Sequence, residues 1–77
     1  MKQWGVFVTK KDLNDMIDKI RKLGYDIFEV RELTMMEKFT YVNDVVLAAG
    51  NPHVIMFYAT DFGYRKMLRK LKLVSVF

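Results

Sequence analysis

Residues 4–24 are WGVFVTKKDLNDMIDKIRKLG, and this stretch predicts a strand followed directly by a helix. β-branched and aromatic residues alternate over residues 3–8, which is typical of a strand. Thr9 is the predicted N-cap, with Asp12 three residues on in a shortened capping box. The helix presents one apolar face and ends at the C′ glycine, Gly24. The residues predicted to face the core are Trp4, Val6, Val8, Leu13, Met16, Ile17, Ile20 and Leu23.

The next segment predicts an edge strand and then an insert. Residues 25–33 are rich in Ile, Phe and Val, and their charges suit a sheet edge, where they discourage stray pairing. Within the insert, Lys38 to Val42 has the composition of a strand. Asn43 is a candidate cap for a short helix over residues 44–49 that ends at Gly50. Residues 34–52 therefore have no single predicted conformation.

The last third repeats the strand–helix–strand order. Residues 54–59 are apolar at every position, as expected for a central strand covered on both faces. Thr60 or Asp61 then caps a helix that extends to about Lys70, and residues 73–77 alternate as a final strand. The apolar face of this second helix contains Tyr64, Met67, Leu68 and Leu71.

The predicted order of elements is β-α-β, the insert, then β-α-β, in a single domain of residues 1–77. Right-handed crossovers place both helices on one face of a four-stranded antiparallel sheet. The expected class is therefore α/β (α+β), and the simplest topology is a ferredoxin-like βαββαβ sandwich with an insert between strands 2 and 3. This fold hosts many unrelated functions.

Composition favours a globular chain in a reducing compartment. Hydrophobic residues make up 52% of the chain, and it contains no cysteine for a disulfide, a nucleophile or a metal site. The longest apolar run, Val54 to Ala59, is far shorter than the roughly 20 residues that span a bilayer. We therefore expect a cytoplasmic protein without a membrane partner.

The sequence offers little catalytic chemistry. The single histidine, His53, begins an apolar strand, and the expectation is a half-exposed side chain rather than a general base paired with Asp44 or Asp61. The single serine, Ser75, lacks a glycine-flanked elbow. Three aspartates on the first helix do not converge on one point, and their spacing to Lys19 and Lys22 favours ion pairs over a metal site. These aspartates are Asp12, Asp15 and Asp18. We expect no enzymatic activity, no cofactor and no metal.

The clearest functional signal is the location of the charge. Residues 1–60 carry equal numbers of acids and bases, so residues 61–77 hold the whole formal net charge of +4. On the helical wheel, the bases of the second helix lie opposite its apolar face, with Phe62 at their centre. An aromatic residue among arginines can stack on a base or fill a pocket in a protein partner. The predicted partner-binding residues are Phe62, Arg65, Lys66, Arg69, Lys70 and Lys72.

Two other surfaces are secondary candidates. If Trp4, Val6 and Val8 face the core, Phe7 and Phe77 face an uncovered side of the sheet, where they would stack on bases or pair with a second subunit. In the insert, Met35, Met36 and Phe39 are candidates for an adaptable protein-binding patch. The alternative is that the insert residues plug the open side of the sheet or lie beneath a loop.

Two functional hypotheses follow from these surfaces. The leading one is a small protein-binding regulator, an adaptor or inhibitor that binds an acidic protein surface through the basic second helix. The alternative is a nucleic-acid-binding domain that uses the same helix or the open sheet face. A homodimer through that open face is also compatible with the sequence.

Overall fold

Eight regular elements follow one another along the chain in a computed structural model that describes residues 1–76. Four are strands and four are helices, and a 3-10 turn at Lys10–Asp12 precedes the first helix. The strands are β1 (Lys2–Val8), β2 (Asp26–Glu32), β3 (His53–Ala59) and β4 (Val74–Ser75). The helices are α1 (Leu13–Lys22), α2 (Met35–Tyr41), α3 (Val45–Ala49) and α4 (Asp61–Leu71).

The four strands form one antiparallel sheet in the order β2-β3-β1-β4. The register of the central pair places Val6 opposite Ile55 and Trp4 opposite Phe57. β2 lies at an edge, as its charge content predicted, and its pairing with β3 shifts between Ile27 and Glu29. The α+β class and the four-stranded antiparallel sheet are confirmed.

The main core lies between one face of the sheet and the two longer helices. Every second residue of β1 and β3 points to this face, which follows from the period of two in a strand. Ile20 of α1 is fully buried there, and Trp4 stacks on Tyr64 of α4 with ring centroids 4.2 Å apart. The buried members are Val6, Val8, Ile20, Ile55, Phe57, Ala59, Tyr64 and Met67. The helices are therefore anchored to the sheet by their predicted apolar faces.

The other face of the sheet is covered, which corrects the expectation of an open face. Phe7 lies on that side, as the alternation predicted, but it is only 3% exposed. It packs with Val54 of β3 against Leu33 and against Leu47 of α3. The insert thus closes the sheet with a second small core. Phe7 is not available for base stacking or for contact with a second subunit.

The insert contains two helices and no strand, which corrects the alternative of a strand at Lys38 to Val42. Thr34 begins α2 with a complete capping box: its hydroxyl accepts from the backbone N–H of Glu37, and the Glu37 carboxylate accepts from the backbone N–H of Thr34. α3 is capped one residue later than predicted, because the Asp44 carboxylate accepts from the N–H of Leu47.

β4 is shorter than the predicted strand over residues 73–77, and Phe77 lies outside the described residues. Within residues 1–76 the longest helix, α4, has 11 residues, and no helix there has the length and apolar character to cross a bilayer.

Candidate functional site

The orientation of α4 is fixed by its buried side. Thr60 caps its N-terminus by accepting from the N–H of Gly63 at 3.1 Å. Tyr64 and Met67 are 3% and 2% exposed, so one side of the helix is locked against the sheet. Because residues on a helix advance by 100° each, the positions between these two anchors turn outward. The predicted binding residues of α4 are therefore presented to solvent.

The outer side of α4 forms a continuous surface, which we call the basic face. Phe62 is 78% exposed at its N-terminal end, and the four cations that follow are all exposed. The backbone and side chains enclose a shallow groove along this side of the helix. The residues of the basic face, all of which line the groove, are Phe62, Arg65, Lys66, Arg69 and Lys70.

None of the four cations of the basic face forms an ion pair within residues 1–76. The contrast with α1 is clear, because Lys19 and Lys22 there pair with Asp15 and Asp18 at 3.0 and 2.9 Å, as predicted. Asp61, the one acid of α4, forms an ion pair with Lys2 at 3.4 Å. The positive charge of α4 is thus not neutralised by its neighbours in the described chain.

Part of this charge also stabilises the helix. Arg69 and Lys70 lie in the last turn of α4, where cations interact favourably with the partial negative charge of the helix terminus. Arg65 and Lys66 lie mid-helix and have no such role. Lys72 follows as the C-cap in a left-handed conformation (φ 54°), exposed beyond the end of the basic face.

A second exposed surface lies on α2 and α3. Phe39 is 85% exposed and Met36 is 81% exposed, so these side chains of α2 take no part in covering the sheet, which Leu47 of α3 covers instead. A groove runs between the two helices, with Val42 and Ala48 among the residues that line it. We call the apolar side chains of these two helices that are at least 70% exposed the apolar surface, and three of them, Met35, Phe39 and Val45, line the groove. The full set is Met35, Met36, Phe39, Val45 and Val46.

Polar contacts, rather than burial, hold α2 in place. No residue of α2 is buried. Besides the capping box, Arg31 of β2 pairs with Glu37 at 3.0 Å, and Lys38 donates to the side chain of Asn51 at 3.3 Å. The hydrogen bond from Arg31, with the backbone bond from Thr34, holds the pKa of Glu37 below its usual value. The helix is therefore fixed while its apolar side chains stay in solvent.

The candidate catalytic groups have structural partners. His53 is 7% exposed rather than half-exposed, with Nδ1 3.0 Å from the carbonyl oxygen of Asn51 and Nε2 3.6 Å from the Glu32 carboxylate. The Ser75 hydroxyl bonds to the hydroxyl of Tyr64. Asp44 caps α3. Among residues 1–76, no cluster of His, Asp or Glu has the arrangement of a metal site.

Val45 and Val46 are exposed residues that were not predicted from the sequence. The signal was the run of five apolar residues 45–49 before Gly50, because so short a helix can bury only one side against the sheet. Leu47 lies on the buried side of α3, and Val45 and Val46 are left in solvent.

Comparison of the chain with protein-family models, with curated proteins and with solved structures found no match.

Proposed function

We propose that this chain is a non-catalytic protein-binding module, an adaptor or inhibitor that binds an acidic protein surface through the basic face of α4. The observation that carries the proposal is that Arg65, Lys66, Arg69 and Lys70 share one exposed side of α4 with Phe62 and form no ion pair in the described chain. Arg65 and Lys66 have neither an ion pair nor a place at the helix terminus, and exposed cations beside an exposed aromatic ring suit a partner of opposite charge.

The chemistry of the basic face supports a mechanism with two components. Arg65 and Arg69 lie one turn apart on one side of a helix, so they can engage two carboxylates of a partner, each through a bidentate hydrogen bond. Phe62 supplies the apolar anchor, since aromatic side chains seated in a pocket contribute much of the binding energy in protein interfaces. Because α4 is anchored through Tyr64 and Met67, these groups are presented without reorganisation of the chain.

Nucleic-acid binding through the same face is the second candidate. It is favoured by the two arginines that follow an exposed aromatic ring on the same side of the helix, since guanidinium groups bind phosphates and a phenyl ring stacks on unpaired bases. If about four of these cations met duplex phosphates, the log–log slope of affinity against salt would be about −3.6.

We also propose that the fold is ferredoxin-like and that the chain acts in the cytoplasm. Supporting the first is the pair of β-α-β units formed by β1-α1-β2 and β3-α4-β4, with α1 and α4 on one face of the sheet. The helices α2 and α3 are an addition to that pattern. Supporting the second is the absence of cysteine from the sequence.

The experiment compares three probes by fluorescence anisotropy: a labelled Glu-rich peptide with one Trp, the same peptide with Gln in place of Glu, and labelled random DNA and RNA. The test variant is R65E/R69E. The matched control is K11E/R21E, which changes the net charge equally at exposed positions outside α4. Both variants should retain the fold, because none of these four side chains is buried.

Binding of the Glu peptide should exceed binding of the Gln peptide, and R65E/R69E should weaken it at least about tenfold, whereas K11E/R21E should not. Salt-sensitive binding of nucleic acid alone, lost in R65E/R69E, would make the second candidate correct. Equal losses in both double variants would show that net charge, and not the basic face, determines binding. No binding of any probe at low salt would refute both functions.

A further inference from the structure

We propose that the apolar surface of α2 and α3 is a self-association site at which a second copy of this chain docks. This surface is separate from the basic face. On one side of the sheet, Phe7 and Val54 pack with Leu47 of α3. Their neighbours Val6 and Ile55 point to the other side, where α4 packs. The two surfaces therefore lie on opposite sides of the sheet, and the proposal does not depend on the function assigned to α4.

The area of the apolar surface suits an interface between proteins. Its five side chains are 70–85% exposed and, at about 150 Å² each when fully accessible, together offer about 600 Å². The largest apolar patch of a typical monomer is about 300–600 Å². A standard interface buries about 800 Å² per partner, of which about 65% is apolar in homodimers. Such a dimer therefore needs about 520 Å² of apolar area per partner, and the exposed apolar side chains of α2 and α3 offer about that much.

The charge around this surface favours a second copy over a charged partner. The segment 31–50 contains two bases and three acids, so two copies of it meet without strong repulsion. The basic face, by contrast, would repel its own copy. Lys38 and Asp44 line the α2–α3 groove together, so a two-fold arrangement can bring the amine of one copy toward the carboxylate of the other. The charged residues of segment 31–50 are Arg31, Glu32, Glu37, Lys38 and Asp44.

The shape of the surface is also consistent with self-pairing. A two-fold interface uses the same patch on both subunits, so the patch must supply both a projection and a recess. Phe39 projects from α2 with 85% of its surface exposed, and the groove beside it is lined by Val42 and Ala48. One copy can thus insert Phe39 into the groove of the other and receive the same contact in return.

The primary test is sedimentation equilibrium of the full chain from about 1 µM to about 1 mM, with Phe39→Asp as the disruptive variant. Phe62→Asp is the matched control, because Phe62 is 78% exposed on the opposite side of the sheet. The native chain should approach twice its 9.2 kDa mass with a micromolar dissociation constant. Phe39→Asp should raise that constant at least about tenfold, since a two-fold interface contains the substitution twice. Phe62→Asp should leave it unchanged.

Because the chain has no cysteine, single cysteines report proximity without interference. Val45→Cys and Phe62→Cys introduce thiols at positions of similar exposure, 81% and 78%. With a short bismaleimide, Val45→Cys should form covalent dimers much faster than Phe62→Cys.

A native chain that stays monomeric at the highest concentration would overturn the proposal, as would a dimer that Phe39→Asp does not weaken. A dimer weakened by Phe62→Asp and not by Phe39→Asp would move the interface to α4. Circular dichroism of Phe39→Asp must match the native spectrum, and if it does not, Met35→Glu, at a 70% exposed residue that lines the groove, replaces it in the same experiment. Co-sedimentation of a monomeric native chain with phosphatidylcholine vesicles, lost in Phe39→Asp, would assign the surface to a lipid bilayer instead.

Discussion

Removing the hydroxyl of Tyr64 tests how α4 and β4 are joined to the sheet. That hydroxyl donates to the carbonyl oxygen of Gly5 at 2.8 Å and also bonds to the Ser75 hydroxyl. Tyr64→Phe keeps the ring stacked on Trp4 and deletes only these contacts. The Gly5 carbonyl retains its bond from the N–H of Val76, and half-buried Ser75 can reach water. The cost should therefore be the net value of the lost bonds, about 1–2 kcal/mol.

Urea denaturation at pH 7, followed by fluorescence of the single tryptophan, Trp4, measures this cost. With an m-value of about 1 kcal/mol/M for a chain this small, the midpoint should fall by about 1–2 M. Tyr58→Phe is the matched control, because the Tyr58 hydroxyl accepts only an exposed hydrogen bond from the Gln3 side chain, at 3.4 Å. Its loss should cost less than about 0.5 kcal/mol. Equal midpoints for Tyr64→Phe and the native chain would refute this account.

The difference in stability between the native chain and Tyr64→Phe should depend on pH. Burial raises the pKa of the Tyr64 hydroxyl above its usual 10.0, and the hydrogen bond with Ser75 opposes this only in part. A group whose pKa is raised in the folded state contributes stability that is complete below its unfolded pKa and is lost as pH rises through its folded pKa. The stability advantage of the native chain over Tyr64→Phe should therefore be constant to about pH 9 and shrink above pH 10. An advantage that grows with pH would contradict the assigned burial.

Two further pairs of substitutions test packing and capping. Met67→Ala should lower the free energy of unfolding by about 2–5 kcal/mol in urea titrations, because Met67 is 2% exposed. Leu68→Ala should cost less, because Leu68 is only half-buried. The reverse order would show that the faces of α4 are wrongly assigned. Thr34→Ala should destabilise α2 by about 1 kcal/mol, seen as faster hydrogen exchange of its amides, while Thr40→Ala should have a smaller effect because it leaves the capping box intact. Unchanged exchange in Thr34→Ala would mean that the capping box does not hold α2.

The sequence predicted the parts of the fold in which local pattern and tertiary packing agree. Ile20 lies at the centre of a regular apolar stripe, and it is fully buried in α1. Phe57 lies in an uninterrupted apolar run, and it is fully buried in β3. The α1 stripe is not buried throughout, because Leu23, also predicted to face the core, is 41% exposed at the end of the helix. The α4 face is equally regular, which is why its predicted binding residues are exposed as expected.

The insert was not predictable in the same way, because α2 has no buried face. The methionines and aromatics of Met35–Tyr41 do not form an apolar stripe against the core, so periodicity carried no signal. The local signal was the capping box from Thr34 to Glu37, which was not among the predicted caps, whereas Lys38 to Val42 was given a strand-like composition. Likewise, alternation placed Phe7 on the correct side of β1, but only tertiary structure shows that Leu47 covers it.

The two proposed surfaces are separable because the sheet lies between them. Mutations at distant sites without shared partners are usually additive, so R65E/R69E and Phe39→Asp should act independently on peptide binding and self-association. Salt separates them further, because screening weakens contacts of the basic face and leaves apolar contacts largely unchanged. A two-fold dimer formed through α2 and α3 would present two copies of α4 on its outer sides. Such a dimer would bind a partner with two acidic sites more tightly than a partner with one, without any new contact, provided that the spacing of those sites matches.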